Sequence, residues 1–492
     1  MGKHIEMKHF FCSVILIISV SVLPVSAQKI KYPDEVKALY EKTDSQVTPD
    51  GGAAPLIAVP QTKGCESLVA AVQAAGLAAV IIPPTGDGAA LRAMAASWDG
   101  AVMPEEWVRE DDVFSILFYK AVSDRNIPHI GNSSLSSGID AGLMHKPGDI
   151  ASIDALAVKA ETFRHAKRLM DRILSLDAHA DLPNKYRRGY ELGARKNNQV
   201  SLQKMEEGHL SSQILISFLP QKELDAESSR KAFEKCDKTI DAILSDIEKN
   251  KEWCGLARCR EDAVRLKAGG RKAFFLGIEN GYGIGNDLRN VRYFADKGVI
   301  YITLSHLYDN AICHSSTHSA DTTLGLTPFG KKVVREMNRH GIMVDVSHTS
   351  SGTFWDCIKY SKAPIICSHS GAASVYRHDR NITDDQLRAI SAKNGLVMVY
   401  VVQQYMGKMG EVGIDDMMAH LQHCIDVAGI DHVGISCDLD GGGGGWDANS
   451  DGDVINITVR LLEEGYSDSD IEKIWSGNFF RVLDEVQRIA GR

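Results

Sequence analysis

The chain reads as an α/β protein in two parts: a (β/α)8 barrel over residues 171–492, preceded by a smaller flavodoxin-like α/β domain over 55–150. Three observations predict this. Eight apolar β-type runs alternate with helical segments through the larger part, the order that a parallel barrel requires. Six of those runs lead into a histidine or a carboxylate, at the rim where such barrels carry their chemistry. In the smaller part, short strands alternate with Ala-rich helical stretches, as in a small parallel sheet covered by helices.

Composition agrees. Of the 492 residues, 44% are hydrophobic and 24% charged, with only 14 prolines, which excludes disordered and collagen-like chains. The net charge of −9, from 55 basic and 64 acidic side chains, offers no basic footprint. Nucleic acid and a polybasic membrane contact are therefore not expected as partners.

At the start, Lys3 and Lys8 precede an apolar run from Phe10 to Leu23 that ends in Pro24-Val25-Ser26-Ala27. That pattern predicts a secretory signal over 1–27, cut after Ala27, and an exported protein, periplasmic or secreted. The run falls short of the ~20 residues that a bilayer span needs, so no transmembrane span is expected after cleavage. Residues 28–54 read as a linker. Removing Cys12 with the signal leaves nine of the ten cysteines, an odd number. Cys254, Cys259 and Cys313 are open to disulfides, whereas Cys357, Cys367, Cys424 and Cys437 lie in apolar contexts typical of buried thiols. The absence of a CxxC pair argues against a cysteine-based zinc site.

In the smaller domain, Leu56 to Val59 and Val80 to Ile82 read as strands, Ser67 to Ala75 as a helix closed by Gly76, and Asp112 to Asp124 as a later helix. Through Pro83-Pro84, Trp98-Asp99-Gly100 and the Ile127-Pro128 to Gly131 segment, this stretch resembles the first half of a class I glutamine amidotransferase domain. In such enzymes the last segment leads to a nucleophilic cysteine. Here it continues Gly131-Asn132-Ser133-Ser134, and a hydroxyl does not simply replace a thiolate. The resemblance therefore implies a catalytically silent module, with an unrelated flavodoxin-like domain as the alternative.

A connecting helix over 151–170 leads to the barrel. Its strands are expected at Arg172–Leu176, Gln213–Leu219, Lys272–Ile278, Val299–Leu304, Ile342–Val346, Pro364–Cys367, Leu396–Val401 and His432–Ser436. One unit shows the punctuation in full. Thr327 is an N-cap and Pro328 takes the first helical position. Phe329, Val333 and Met337 then recur on one face, and Gly341 ends the helix before the next strand.

The polar residues that follow the runs form a constellation. Strand one leads into Asp177-Ala178-His179-Ala180-Asp181, strand three into Glu279 and strand four into His306. Strands five, six and eight lead into His348, His369 and Asp438. On an extended segment, residues i and i+2 point the same way, so His179 and Asp181 can reach one ion. Imidazole with carboxylate suits a borderline divalent metal such as zinc. His348 and His369, from adjacent strands, can hold a second ion, and Glu279 between the two sets can bridge. Such a pair, about 3.5–4 Å apart, lowers the pKa of a shared water from 15.7 towards roughly 7. Asp438 is placed to carry the proton.

The same residues carry a family resemblance. Asp177-Ala178-His179-Ala180-Asp181-Leu182-Pro183 is similar to the opening motif of the membrane (renal-type) dipeptidases, the M19 metallopeptidases. Gly277-Ile278-Glu279, Tyr301 to His306, Gly325 to Gly330, Val344 to His348, Cys367 to Ser370, Arg380-Asn381 and Ser436 to Gly441 follow in the family's order. The resemblance implies a TIM-type barrel of the metal-dependent hydrolase kind with two Zn2+ per chain. His179 and Asp181 would bind one ion, His348 and His369 the other, with Glu279 between and Asp438 as acid/base. It further implies that His306 contacts the substrate and its oxyanion, and that Arg380 binds the terminal carboxylate through a guanidinium fork. The implied substrate is a dipeptide, with tolerance for a C-terminal D-residue, and analogy points to a homodimer. Two departures bear on pocket shape: Asn280-Gly281-Tyr282 stands where the family has Gly-Gly-His, and Cys437 where a small run is typical.

Other features carry less. Gly441 to Gly445 lacks the Lys-Ser/Thr of a phosphate loop and reads as a flexible βα loop over the site. His314 and His318, in a Ser/Thr-rich loop, read as solvated. Two rival functions stand beside the dipeptidase: another metal-dependent barrel hydrolase acting on a lactone, cyclic amide or phosphoester, and a binding protein with a vestigial site. The His-x-Asp opening and the glutamate bridge argue against the first, since many such barrels use His-x-His and a modified lysine. The complete ligand set argues against the second.

Overall fold

The structure is a computed structural model that describes residues 56–60, 78–82, 162–163, 165–181, 190–193, 198–445 and 448–492. The chain divides into two units, 1–165 and 166–492. In the first, β1 (Leu56–Pro60) and β2 (Ala78–Ile82) pair in parallel, the two runs expected as its opening strands. The signal at 1–27, the linker at 28–54, the remaining elements and amidotransferase-like motifs of 55–150, and the start of the connecting helix lie outside the described residues. So do Leu182 and Pro183. Among the described residues, no helix is long and apolar enough to cross a membrane.

The second unit is a nearly closed parallel barrel. Its strands are β3 (Leu176–Asp181), β4 (Ser212–Phe218), β5 (Cys254–Leu256), β6 (Lys272–Glu279), β7 (Val299–Thr303), β8 (Met343–Asp345), β9 (Ile365–Ser370), β10 (Leu396–Val399) and β11 (Val433–Ile435). The wall runs β3-β4-β6-β7-β8-β9-β10-β11, and the short β5 pairs with β6 as an addition that the sequence pattern did not reveal. A parallel bridge between Ala180 and Leu439 joins the last strand's end to the first. Asp181 N–H donates to Leu439 O at 2.9 Å across that seam.

The first strand needs correction. It was expected over Arg172–Leu176, but helix continues through 165–172, and Ile173 N–H still donates to Leu169 O. The strand starts at Leu176 and holds Asp177, His179 and Asp181 within itself. The other seven expected strands lie where the apolar runs place them, with ends shifted by up to three residues.

Two apolar clusters explain why the strands read as near-continuous apolar runs. Ile214 and Ile216 belong to one cluster and Leu215 to the other; Phe275 likewise parts from Phe274 and Leu276. This period-two division means both faces of the wall are buried, as in parallel sheets covered by helices. The helix Pro328–His340, labelled α1, starts on Thr327, whose Oγ1 accepts from Gly330 N–H at 2.9 Å, and ends on Gly341 at φ 71°. The C-terminal helix Asn478–Ala490, α2, adds Phe479 and Phe480 to the smaller cluster.

Candidate metal centre and substrate site

Each candidate ligand is delivered by the end of a strand. His179 and Asp181 lie in β3, where the pairing with β4 shifts register between Asp177 and Ala180. Glu279 is the last residue of β6, and His369 lies in β9. His306, His348 and Asp438 each follow their strand by three residues. His348 (φ 65°), Asp438 (φ 53°) and Asp440 (φ 62°) adopt left-handed backbone, uncommon for residues with a side chain. Such strain is often held at functional sites by the surrounding packing.

The side chains converge. His179 Nε2 lies 3.7 Å from Asp181 Oδ1, 3.6 Å from Glu279 Oε2 and 3.9 Å from Asp438 Oδ1. On the other side, Glu279 Oε1 lies 2.9 Å from His348 Nε2, 3.4 Å from His369 Nε2 and 3.8 Å from His306 Nε2. One carboxylate thus faces His179 with one oxygen and three histidines with the other. Three overlapping groups have metal-ligand spacing: His179, Glu279 and His369; Glu279, His306 and His348; and His179, Asp181 and Asp438.

The site is buried and charged. Burial opposes a charge on His179, yet Glu279, Asp181 and Asp438 push its imidazole up to about 10. Burial, then the neighbouring His179, pushes His369 down to about 3. Asp438 is raised to about 7, chiefly by burial and also by the Glu279 carboxylate. Burial and Glu279 likewise hold Asp181 well above the usual carboxylate range. Carboxylates crowded in this way favour a cation among them.

The residues fit a pair of divalent ions. His179 Nε2 and Asp181 Oδ1 are buried without a hydrogen-bond partner among the described residues. Tyr301 O–H donates to Ala178 O at 3.0 Å, so its oxygen is left to accept from His179 Nδ1, 2.7 Å away. In the neutral imidazole, the form that binds a cation, this places the proton on Nδ1 and the lone pair on Nε2, facing the carboxylates. The separations within the cluster also suit shared ions, because ligands in a tetrahedral zinc site lie roughly 3.3 Å apart.

Arg380 is buried, and its guanidinium lies 5.8 Å from the Tyr400 ring and 5.7 Å from the Tyr405 ring. Nη2 donates to His369 O at 3.3 Å, while Nε has no partner among the described residues. It is therefore a buried cation with donor capacity to spare beside the ligand cluster.

Several residues here were not singled out from the sequence. Phe218, at the end of β4, sets its ring edge-on to His306, with centroids 4.7 Å apart. Asp345 and Ser368 brace His369, and Tyr301 braces His179; each lies within a family motif of the sequence, but its bracing role shows only in space. Gly441, read from the sequence as part of a loop, also shapes the site: a Cβ there would stand 2.6 Å from both Asp181 Oδ2 and Asp438 Oδ1. The glycine run is no free flap. Gly441 and Gly443 N–H groups both donate to Asp438 O, and Gly444 N–H donates to Val401 O. Gln199 Nε2 donates to Gly443 O as well.

The remaining expectations resolve simply. His314 Nδ1 pairs with Asp309 Oδ2 at 2.8 Å while staying partly exposed, and the exposed His318 stacks on Tyr308, so neither joins the ligand groups. The eight described cysteines are all unpaired, Cys254, Cys259 and Cys313 included. Tyr282 is buried with its hydroxyl donating to Glu223 O, and the N–H of the buried Cys437 donates to Asp177 Oδ1. Neither departure from the family pattern stands among the ligand groups.

A parallel barrel with imidazoles and carboxylates gathered at the C-terminal rim defines a protein of the metal-dependent hydrolase class. Residues 163–492 match the family model for membrane dipeptidases, peptidase family M19. The chain belongs to that family, whose members are metal-dependent dipeptidases. It is 32% identical over 253 residues to dipeptidase tcpJ of Claviceps purpurea (strain 20.1), a match over 51% of this chain and 60% of that protein. It is 29% identical over 355 residues to dipeptidase verJ of Clonostachys rogersoniana, over 69% of this chain and 90% of that one. The crystal structure of the probable dipeptidase PvdM from Pseudomonas aeruginosa superposes with a TM-score of 0.64 at 26% identity, covering 67% of this chain and 99% of its own.

Proposed function

We propose that the protein is an exported dizinc dipeptidase that accepts dipeptides with either an L- or a D-residue at the C-terminal position. The observation that carries this reading is the division of Glu279: Oε2 faces His179 and Oε1 faces His348 and His369. His179, Asp181 and Glu279 would hold one ion, and Glu279, His348 and His369 the other. When bound, the ions supply Lewis acidity at the scissile carbonyl and acidify a water between them.

The chain's own residues do the rest. Asp438, raised to about 7 by burial, stands where it can take a proton from the attacking water and return it to the leaving amine. Burial lowers the pKa of His306, which leaves it a neutral donor for the carbonyl oxygen as charge develops there. Arg380 receives the dipeptide's carboxylate, pairing a cation that otherwise lies buried without one among the described residues. A homodimer accompanies this reading.

The test is a metal count on the purified full chain, coupled to hydrolysis of L,L- and L,D-dipeptides beside a lactone and a phosphoester. Dipeptides turned over far faster than the others support the proposal; preference for the lactone or phosphoester overturns it. Glu279→Gln is expected to lose both ions and all turnover, because a neutral amide is a poor bridge. Retained occupancy with normal turnover would reject the shared-ligand role.

A further inference from the structure

We infer that Asp345, acting through Ser368, is the positioning device that fixes the tautomer of His369 and so the competence of one half of the metal centre. The inference rests on the dizinc reading above and goes beyond its ligand set. Asp345 closes β8 and is fully buried. Its Oδ1 accepts two backbone N–H groups, from Ser347 at 3.0 Å and from Ser368 at 2.9 Å. Its Oδ2 accepts two hydroxyls, Thr303 Oγ1 and Ser368 Oγ. The residues it grips by their N–H groups immediately precede His348 and His369.

Directions follow from counting protons. Backbone N–H groups can only donate, so Oδ1 is committed as an acceptor. Ser368 spends its single proton on Oδ2, so its oxygen can only accept from its other neighbours. The nearest of these is His369 Nδ1, at 2.8 Å. Nδ1 must then carry the ring proton, which leaves the lone pair on Nε2, the atom 3.4 Å from Glu279 Oε1. A second tie holds the backbone: His369 N–H donates to Ser347 Oγ at 3.1 Å. His348 is held differently. Its Nδ1 has no partner among the described residues, and its place is set by the left-handed backbone and by Ser316 N–H donating to its carbonyl.

The chain of donors predicts an asymmetry between two substitutions. Ser368→Ala removes the acceptor and frees the imidazole to place its proton on either nitrogen. Asp345→Asn inverts the chain. Both N–H groups at Oδ1 still demand an oxygen, so the new amide must turn its NH2 towards Ser368. Ser368 then accepts from the amide and has its own proton to offer to His369 Nδ1, nearer at 2.8 Å than Ser347 Oγ at 3.4 Å, which favours the other tautomer and draws the lone pair from Nε2.

The experiment measures zinc affinity by chelator competition on the full-length wild type, Ser368→Ala, Asp345→Asn and Ser368→Thr, with nitrogen NMR of the histidines as a second readout. The expected result is one ion held as in the wild type and the other weakened 10–100-fold in Ser368→Ala, the usual effect of losing such a brace. Asp345→Asn should be weakened at least as much, Ser368→Thr should match the wild type, and the signal of a protonated Nδ1 at His369 should fall in Ser368→Ala and fall furthest in Asp345→Asn. Wild-type affinity for both ions in Ser368→Ala overturns the inference, as does equal loss of both ions. Should Asp345→Asn fail to fold, Ser368→Ala decides alone. A protein that binds two ions but cleaves no dipeptide defeats the proposed function and leaves this inference standing.

Discussion

At the scale of single residues, the site is defined as much by what is kept small as by what is charged. Gly441 has no left-handed backbone to excuse it, yet a methyl group there would meet two carboxylate oxygens at 2.6 Å. Gly441→Ala should therefore crowd Asp181 and Asp438 with a strain of about 1–3 kcal/mol, which, borne by the transition state, is a fall of about 5–160-fold in kcat/KM. Unchanged kinetics would show that the backbone yields. Asp438 poses a sharper question, because its geometry suits both a proton carrier and a third ligand beside His179 and Asp181. If it carries protons, Asp438→Asn keeps both ions and slows kcat by ~10²–10⁴-fold. A drop in zinc content equal to the drop in rate would make it a ligand instead.

At the scale of elements, local chemistry reads well wherever no functional group interferes. The α1 unit is the clearest case, from the Thr327 cap to the Gly341 stop. Thr327→Ala should destabilise the fold by about 0.5–2 kcal/mol in urea unfolding; an unchanged midpoint would mean that the Thr327 bond to Ala311 O and its cap are both dispensable. Legibility failed at β3, and for a physical reason. Positions that a buried strand normally fills with apolar side chains hold Asp177, His179 and Asp181 instead. The apolar signal therefore fell on the preceding helix end, Ile173 and Leu174. Function overrode pattern there, as is expected at active sites. The ligands themselves were legible because each closes or follows an apolar run. Their bracing roles were not, since Tyr301 meets His179 across 122 positions of chain and Asp345 meets Ser368 across 23.

At the scale of the molecule, a metal centre held as proposed, by ligands from four strands, would couple ion binding to stability. Ions held by the folded chain alone stabilise it by about 4.1 kcal/mol at a thousandfold excess over Kd. Chelation should thus lower Tm by roughly 5–10 °C, and added zinc should restore it; identical melting curves with and without chelator would refute the coupling. The seam at Ala180 and Leu439 has a consequence of its own. Asp181 lies at one edge of the join and Asp438 at the other, 257 positions apart in the chain. A growing polypeptide that has not yet produced its final strand offers only an open arc, with the ring of donors broken at that gap. The proposed site would thus be complete only once β3 and the segment after β11 have met.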